Sequence, residues 1–212
     1  MKLYPIMVNI EGMPVLVVGG GEVGYRKAVD LLESGAIVTV VSPIFNELFD
    51  DYDKYPALDM MKRQYRYGDM DGFHLVFCAT NNREVNQKIF EEAQEKNVLI
   101  NAADDPPNCS FTIPSFMRKG DLLLSLSTNG ASPAYAARLR RELEEIIPDN
   151  IEVLLPQLRR MRAILKTHEN FNHLEFHDRG AVLKAVVRDD EVLNKISDAS
   201  EDELVEILHN LI

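Results

Sequence analysis

An α/β fold built on a doubly wound parallel sheet is what this sequence predicts, and three features carry the prediction. Short β-branched apolar runs recur through the first hundred residues, PVLVV at 14–18, AIVTVVSP at 36–43, HLVFCAT at 74–80 and VLINAA at 98–103. A glycine-rich turn separates the first run from a stretch with helical spacing, and a second helical stretch separates the later runs. Continuous apolar runs of this length read as strands covered on both faces, as parallel sheets are.

The first element is PVLVV, stopped by Gly19, Gly20 and Gly21. From Glu22 to Ser34, Val23, Ala28, Val29, Leu31 and Leu32 fall near helical spacing, and Gly35 stands where a helix stops. AIVTVVSP then completes a strand, turn, helix and strand within about 30 residues, the unit of a Rossmann-type fold. The residues 82–97, NREVNQKIFEEAQEKN, predict a helix with Ile89, Phe90 and Ala93 on one side. About five parallel strands are expected by residue 103, and Pro106, Pro107 and Pro114 then mark the boundary of the nucleotide domain, because proline neither donates to a ladder nor sits in a helix interior.

Beyond that boundary DLLLSLST predicts a strand with one apolar and one partly polar face. Asn129 and Gly130 turn the chain, and Ser132 and Pro133 suit the N-cap and first position of a helix that Pro148 closes. Three further helical stretches are expected at 149–167, 174–188 and 200–211. The organisation is therefore an α/β domain over 1–110, a small α+β region over 111–147 and a helical C-terminal domain over 148–212.

At 46% hydrophobic and 27% charged, the composition is that of a globular protein and too apolar for a disordered one. The N-terminal apolar stretch is broken by Pro5 and Asn9 and has no small-residue cleavage site, and no run reaches the length of a spanning helix. Two cysteines, Cys78 and Cys109, make no disulfide framework and no metal cluster, so a cytoplasmic protein with reduced thiols and no resident metal is expected. The net charge of −11 argues against nucleic acid as a partner. Residues 189–206 hold eight acids and one lysine, net −7, whereas 157–166 carry Arg159, Arg160, Arg162 and Lys166 with no acid, leaving a local basic face for an anionic small molecule.

Gly19-x-Gly21-x-x-Gly24 follows a strand and opens a helix, the context that makes a dinucleotide fingerprint informative. Gly19 allows the tight turn, Gly21 lets the backbone approach a pyrophosphate, and Gly24 lets helix and strand pack closely, with the helix N-terminus facing the phosphates. The acid that usually ends the second strand and holds the ribose hydroxyls is missing, for the chain reads Ser42-Pro43-Ile44. Neither NAD nor NADP is selected by those residues.

Asp104 and Asp105 follow the last strand of the sheet, where ligands of open α/β sheets bind. Adjacent aspartates before prolines serve as turn formers, while a carboxylate at the hydride-transferring end of a nicotinamide cofactor can act as a general base. His74 reads as a strand-edge residue, and His168, His173, His177 and His209 lie in the helical tail without a metal-ligand pattern, His173 and His177 reading as surface residues. Cys78 reads as a buried small hydrophobe, and Cys109 lacks a base that would make it a nucleophile.

Taken together, YPIMVNIEGMPVLVVGGGEVGYRKAVDLLESGA, ATNNREVN, LINAADDPPNCSFTIPS and LSLSTNGASPAYAARLRRELE resemble, in order and spacing from Tyr4 to Pro148, the precorrin-2 dehydrogenase family that includes the N-terminal module of siroheme synthase. The resemblance implies an intertwined homodimer with 111–147 as its dimerisation region, and a cytoplasmic oxidoreductase that uses NAD to convert precorrin-2 to sirohydrochlorin. In some members ferrous iron insertion, a ferrochelatase (lyase) activity, follows. Asp104 takes the family's catalytic position. Glu22, Val23, Pro43 and Ile44 take its cofactor contacts beside Gly19, Gly21 and Gly24, with Thr80 added, and Asn101, Ser110 and Thr128 line the tetrapyrrole cavity. Substrate carboxylates would call on Arg138, Arg140, Arg141 or the cluster from Arg159 to Lys166. Two rival readings are a nucleotide-sensing regulatory domain, which Ser42 disfavours, and a non-catalytic tetrapyrrole carrier, which the presence of Asp104 disfavours.

Overall fold

Valines 15 and 17 face one way from the first strand, and Leu16 and Val18 face the other, each pair closed over by a different helix. In this computed structural model, which describes residues 3–103 and 105–212 except for the side chains of Tyr52 and Asp53, that strand is the centre of a five-stranded sheet. The strands β1 (Pro14–Gly20), β2 (Ile37–Phe45), β3 (Leu58–Met61), β4 (Leu75–Cys78) and β5 (Leu99–Ala102) lie in the order β3-β2-β1-β4-β5. Every pairing is parallel. The strand order therefore reverses at β1, and the carboxyl ends of β1, β2 and β4 surround the crevice where such sheets take ligands.

Helix α1 (Glu22–Glu33) covers one face, with Ala28 and Leu31 packed on Val15, Val17, Val38 and Val40. Helix α2 (Arg83–Lys96) covers the other, with Ile89 and Ala93 on Leu16, Val18, Val76 and Ile100. The ends of α2 follow from two asparagines. The Asn82 side chain accepts the backbone N–H groups of Glu84 and Val85, and Asn97 ends the helix at φ 56°, a left-handed conformation asparagine tolerates. Strand β3 was not among the runs the sequence singled out. It has four residues that alternate half-buried and exposed on the sheet edge, too short a pattern to stand out.

The connection from β3 to β4 is fastened to α2 through Glu92, a buried carboxylate. It accepts the Tyr65 hydroxyl at 2.7 Å and the Gly68 N–H at 2.8 Å, and Lys96 lies 2.9 Å away. Burial and that hydrogen bond push the Tyr65 hydroxyl well above its ordinary pKa. In the same connection Asp69 receives both arms of the Arg63 fork, at 2.6 and 2.9 Å.

Leu3–Ile113 form one compact unit and Pro114–Ile212 another. The second unit opens with an antiparallel hairpin, β6 (Ser115–Lys119) and β7 (Leu122–Leu126), turned at Gly120 with φ +56°. Helix α3 (Pro133–Glu145) starts at Ser132, whose hydroxyl accepts the Tyr135 N–H at 3.2 Å. Then follow α4 (Ile151–Thr167), α5 (Phe176–Val186), α6 (Asp190–Ile196) and α7 (Glu201–His209), closed around Met161, Leu165, Phe171, Ile196, Leu204 and Leu208.

Helix α6 is one more than the sequence reading expected. Its seven residues open on two acids, and they are helical because Asp189 caps Glu191 and Val192 and because Ile196 is fully buried. The acidic run thereby acquires a local cause. Asp190 and Glu191 lie in the first turn of α6, and Glu201, Asp202 and Glu203 in that of α7, where the helix dipole favours negative charge. No helix of the described residues is long and apolar enough to cross a membrane.

Candidate functional site

The first wall of the crevice is the glycine turn. Gly19 has φ +122°, and a Cβ there would overlap the Ala79 carbonyl oxygen and lie 3.2 Å from the Thr80 nitrogen. Gly24, buried in the first turn of α1, would drive a Cβ into the Gly19 carbonyl oxygen. Gly21 differs from both: among the described residues, a Cβ on it would meet nothing within 4 Å. It is also the N-cap of α1 and supplies no side-chain cap, so the N–H groups of Glu22 and Val23 are left to an incoming acceptor. An extended residue with open space ahead of it, at the positive end of a helix, is a seat for an anion such as a pyrophosphate.

A second wall comes from the end of β2, which extends two residues past Pro43. After an irregularity, Phe45 pairs with Gly20, and the Asn46 N–H donates to the Gly20 carbonyl at 2.7 Å. Gly20 must accordingly be glycine: its Cβ would lie 2.6 Å from the Ile44 carbonyl oxygen, 2.8 Å from the Phe45 ring and 2.9 Å from the Ser42 Cβ. The sequence motif leaves that position free, and only the return of β2 constrains it. Ser42 is buried beneath this return with its hydroxyl donating to the Ile44 carbonyl at 2.6 Å. Its side chain is committed to the bend and does not project from the strand end, which gives a physical reason for the missing ribose acid. Pro43 and Ile44 are exposed, Ile44 at 77%, and line a shallow depression with Phe45, Asp50, Asp59 and Lys62.

The end of β4 is held from α2. The amide of Asn86 donates to the Thr80 carbonyl at 3.1 Å, and its oxygen accepts the Thr80 hydroxyl and the Cys78 thiol, the latter at 3.0 Å. Burial raises the Cys78 pKa to about 11, which keeps the thiol a donor.

The end of β5 is stitched to the segment that follows it. The Ser110 hydroxyl accepts the Ile100 N–H at 2.7 Å and faces the Ile100 carbonyl at 3.2 Å, while the Asn101 amide donates to the Phe111 carbonyl at 3.0 Å. The Cys109 sulfur accepts the Ala102 N–H at 3.2 Å, and burial raises the pKa of this thiol as well, unlike that of an activated nucleophile. Asp105 precedes a short 3-10 turn and its carboxylate accepts the Asn108 amide at 2.8 Å, the arrangement of a turn former. Asp104 lies outside the described residues.

In the C-terminal unit the Thr128 hydroxyl closes the turn before α3, accepting the Ser132 N–H at 3.1 Å. Arg138 and Arg140 are engaged with Glu142 and Glu144, and Arg159 with Asp121, whereas Arg141, Arg162 and Lys166 are exposed and pair with no acid among the described residues. His74, His173, His177 and His209 are exposed, and His168 accepts the Asn170 N–H. Among the described residues no group of His, Cys, Asp or Glu is arranged to hold a metal ion.

Comparison with known proteins agrees with this geometry. A family model described as "Putative NAD(P)-binding" matches residues 6–115, and one described as "Sirohaem biosynthesis protein central" matches 119–146. A siroheme synthase of Acinetobacter baylyi is 36% identical over 149 residues, 70% of this chain and 33% of that protein. One of Pseudoalteromonas translucida is 32% identical over 213 residues, 99% of this chain and 44% of that protein. The chain thus spans between a third and a half of these relatives. The solved structure of SirC, a precorrin-2 dehydrogenase, shares the fold with a TM-score of 0.77 at 23% identity, over 98% of this chain and all of that one.

Proposed function

From the premise that this chain belongs to the NAD(P)-binding family matched over residues 6–115, with siroheme synthases among its relatives, we propose that it is an NAD-dependent precorrin-2 dehydrogenase. The observation that carries the reading is the open space before Gly21 at the bare N-terminus of α1, a cradle that any side chain would fill. The residues present fit a dinucleotide. Gly21, Glu22 and Val23 would hold its pyrophosphate on a turn that Gly19 and Gly24 make possible, Pro43 and Ile44 would border its adenosine, and Thr80 would flank the other side of the turn.

NAD, when bound, supplies a hydride acceptor. The oxidation takes the equivalent of a hydride and a proton from the macrocycle, and this chain would have to supply the base for the proton. Asp104 is that base, receiving the proton on its carboxylate and releasing it to solvent. Asn101 and Ser110 shape the β5 side of the substrate site, chiefly by holding the segment after β5 in place, and Thr128 is a further substrate residue. Exposed Arg141, Arg162 and Lys166 are available to the carboxylates of precorrin-2. Ferrous iron is a second substrate in this reading, inserted after the oxidation. The enzyme is cytoplasmic, and two chains pair through the β6–β7 hairpin, where Phe116 and Leu123 are exposed at 39% and 37%.

Anaerobic incubation with precorrin-2 and NAD, followed by absorbance with and without ferrous or cobaltous ion, tests the reaction. Stoichiometric NADH and the sirohydrochlorin spectrum are expected. Tight NAD binding with no turnover would overturn the dehydrogenase in favour of a sensing or carrier role. Sedimentation at micromolar concentration checks the dimer.

A further inference from the structure

We infer that Asn86, on α2, is a positioning residue for the cofactor, fixing the Ala79–Thr80 turn against the glycine loop so that the Gly21 seat keeps its shape. The inference rests on the dinucleotide reading above and adds to it a residue outside the glycine motif.

Asn86 is 8% exposed and lies on the same stripe of α2 as Ile89 and Ala93, among apolar neighbours. A buried amide at such a position is costly unless each of its polar atoms is used. Here all are used on one short stretch of chain: the Thr80 carbonyl, the Thr80 hydroxyl and the Cys78 thiol. A side chain that gives to the carbonyl and takes from the hydroxyl of the same residue must carry donor and acceptor on one carbon, as an amide does. The α2 end of this link is itself fixed, since the Asn86 N–H donates to the Asn82 carbonyl at 2.9 Å and Asn82 caps the helix.

The other end reaches the cofactor loop. Ala79 donates its N–H to the Val18 carbonyl at 2.8 Å, and Gly19 approaches Ala79 so closely that it has no room for a Cβ. A shift of the Ala79–Thr80 turn is therefore transmitted directly to Gly19, and through it to Gly20 and Gly21. Packed segments of this kind move together, and small displacements of a binding loop cost affinity out of proportion to their size.

The test compares NAD affinity with stability in the full chain. Asn86→Ala is expected to raise the Kd and KM for NAD about tenfold while kcat and the KM for precorrin-2 stay within about threefold. Glu92→Gln, a buried polar change on the same helix but on the far connection, is the control: it should lower Tm and leave the Kd for NAD within twofold. If Asn86→Ala folds poorly, Asn86→Asp keeps shape and acceptor but loses the donor to Thr80, and must raise the Kd at least fivefold. An NAD Kd within twofold of wild type for a folded Asn86 variant overturns the inference alone. A wild-type chain that takes up no NAD overturns the dinucleotide reading and this inference with it.

Discussion

Phe45 pairs with Gly20 across the carboxyl ends of β2 and β1, bringing the Ile44 carbonyl oxygen to 2.6 Å from where a Gly20 Cβ would stand. Adjacent glycines of one turn therefore carry different constraints. Gly20 is enclosed by backbone and side-chain atoms of β2, and Gly21 opens onto space that no described residue fills.

That contrast predicts opposite outcomes for neighbouring substitutions. Gly20→Ala should destabilise the fold by about 1 to 3 kcal/mol, the usual cost of forcing extra volume against groups that cannot move aside. Gly21→Asp should leave Tm within a few degrees of wild type and abolish NAD binding, since its carboxylate would occupy the pyrophosphate seat and repel the phosphates. Thermal unfolding and calorimetry with NAD check both. Normal NAD affinity in Gly21→Asp would remove the seat assignment.

A second prediction concerns the β3–β4 connection. Tyr65→Phe removes one of the donors to buried Glu92 and leaves part of a carboxylate unsatisfied. Hydrogen bonds to charged groups are worth about 1.5 to 3 kcal/mol when broken on one side. Chemical denaturation should show a loss in that range, with the Kd for NAD unchanged, because Tyr65 and Glu92 belong neither to the glycine loop nor to the lining of the depression beside Ile44. A loss of NAD affinity equal to that of Asn86→Ala would show the two regions to be coupled.

How much of this was legible in the sequence depended on whether a residue answers to its own segment or to another. LVVGGG and the Ser132-Pro133 start are local signals, and the strand and helices they announce stand where the sequence puts them. Strand β3 and helix α6 were missed because four and seven residues carry too little periodicity of their own. Gly20 and Ser42 acquire their roles only when β2 folds back over β1. Asn86 did leave a trace, a polar residue on the apolar stripe of Ile89 and Ala93. Its partners, Cys78 and Thr80, lie on the far side of the helix start and can be named only from coordinates.

Acid should expose the Arg63–Asp69 pair. Burial works to raise the Asp69 pKa, but the Arg63 fork and the Arg66 N–H outweigh it and hold the carboxyl below its ordinary value. A carboxylate with a depressed folded-state pKa contributes stability that is fully present above its unfolded value, about 3.9, and is lost as pH falls through the folded value. Asp69→Asn should thus have a lower Tm than wild type at pH 7, with the gap closing below about pH 4. A gap that stays constant from pH 7 to pH 3 would show that the pair contributes through packing alone.

The remaining prediction separates the enzyme from a sensor or carrier. If Asp104 is the base, Asp104→Asn retains size and hydrogen-bonding capacity but cannot take up the proton, and the dehydrogenase rate should fall by about 10² to 10⁴, the range for loss of a general base. NAD binding should survive, since the glycine turn is untouched. Asp105→Asn should lose far less, because the Asp105 carboxylate is engaged with the Asn108 amide at the start of the 3-10 turn and an amide there can still accept. Iron insertion, where it occurs, offers an independent check on the same carboxylate, because stripping pyrrole protons needs a base and no nicotinamide. It should fall in Asp104→Asn and persist in Gly21→Asp. A dehydrogenase rate within threefold of wild type for Asp104→Asn, in a variant that still binds NAD, would take the role of base away from this residue.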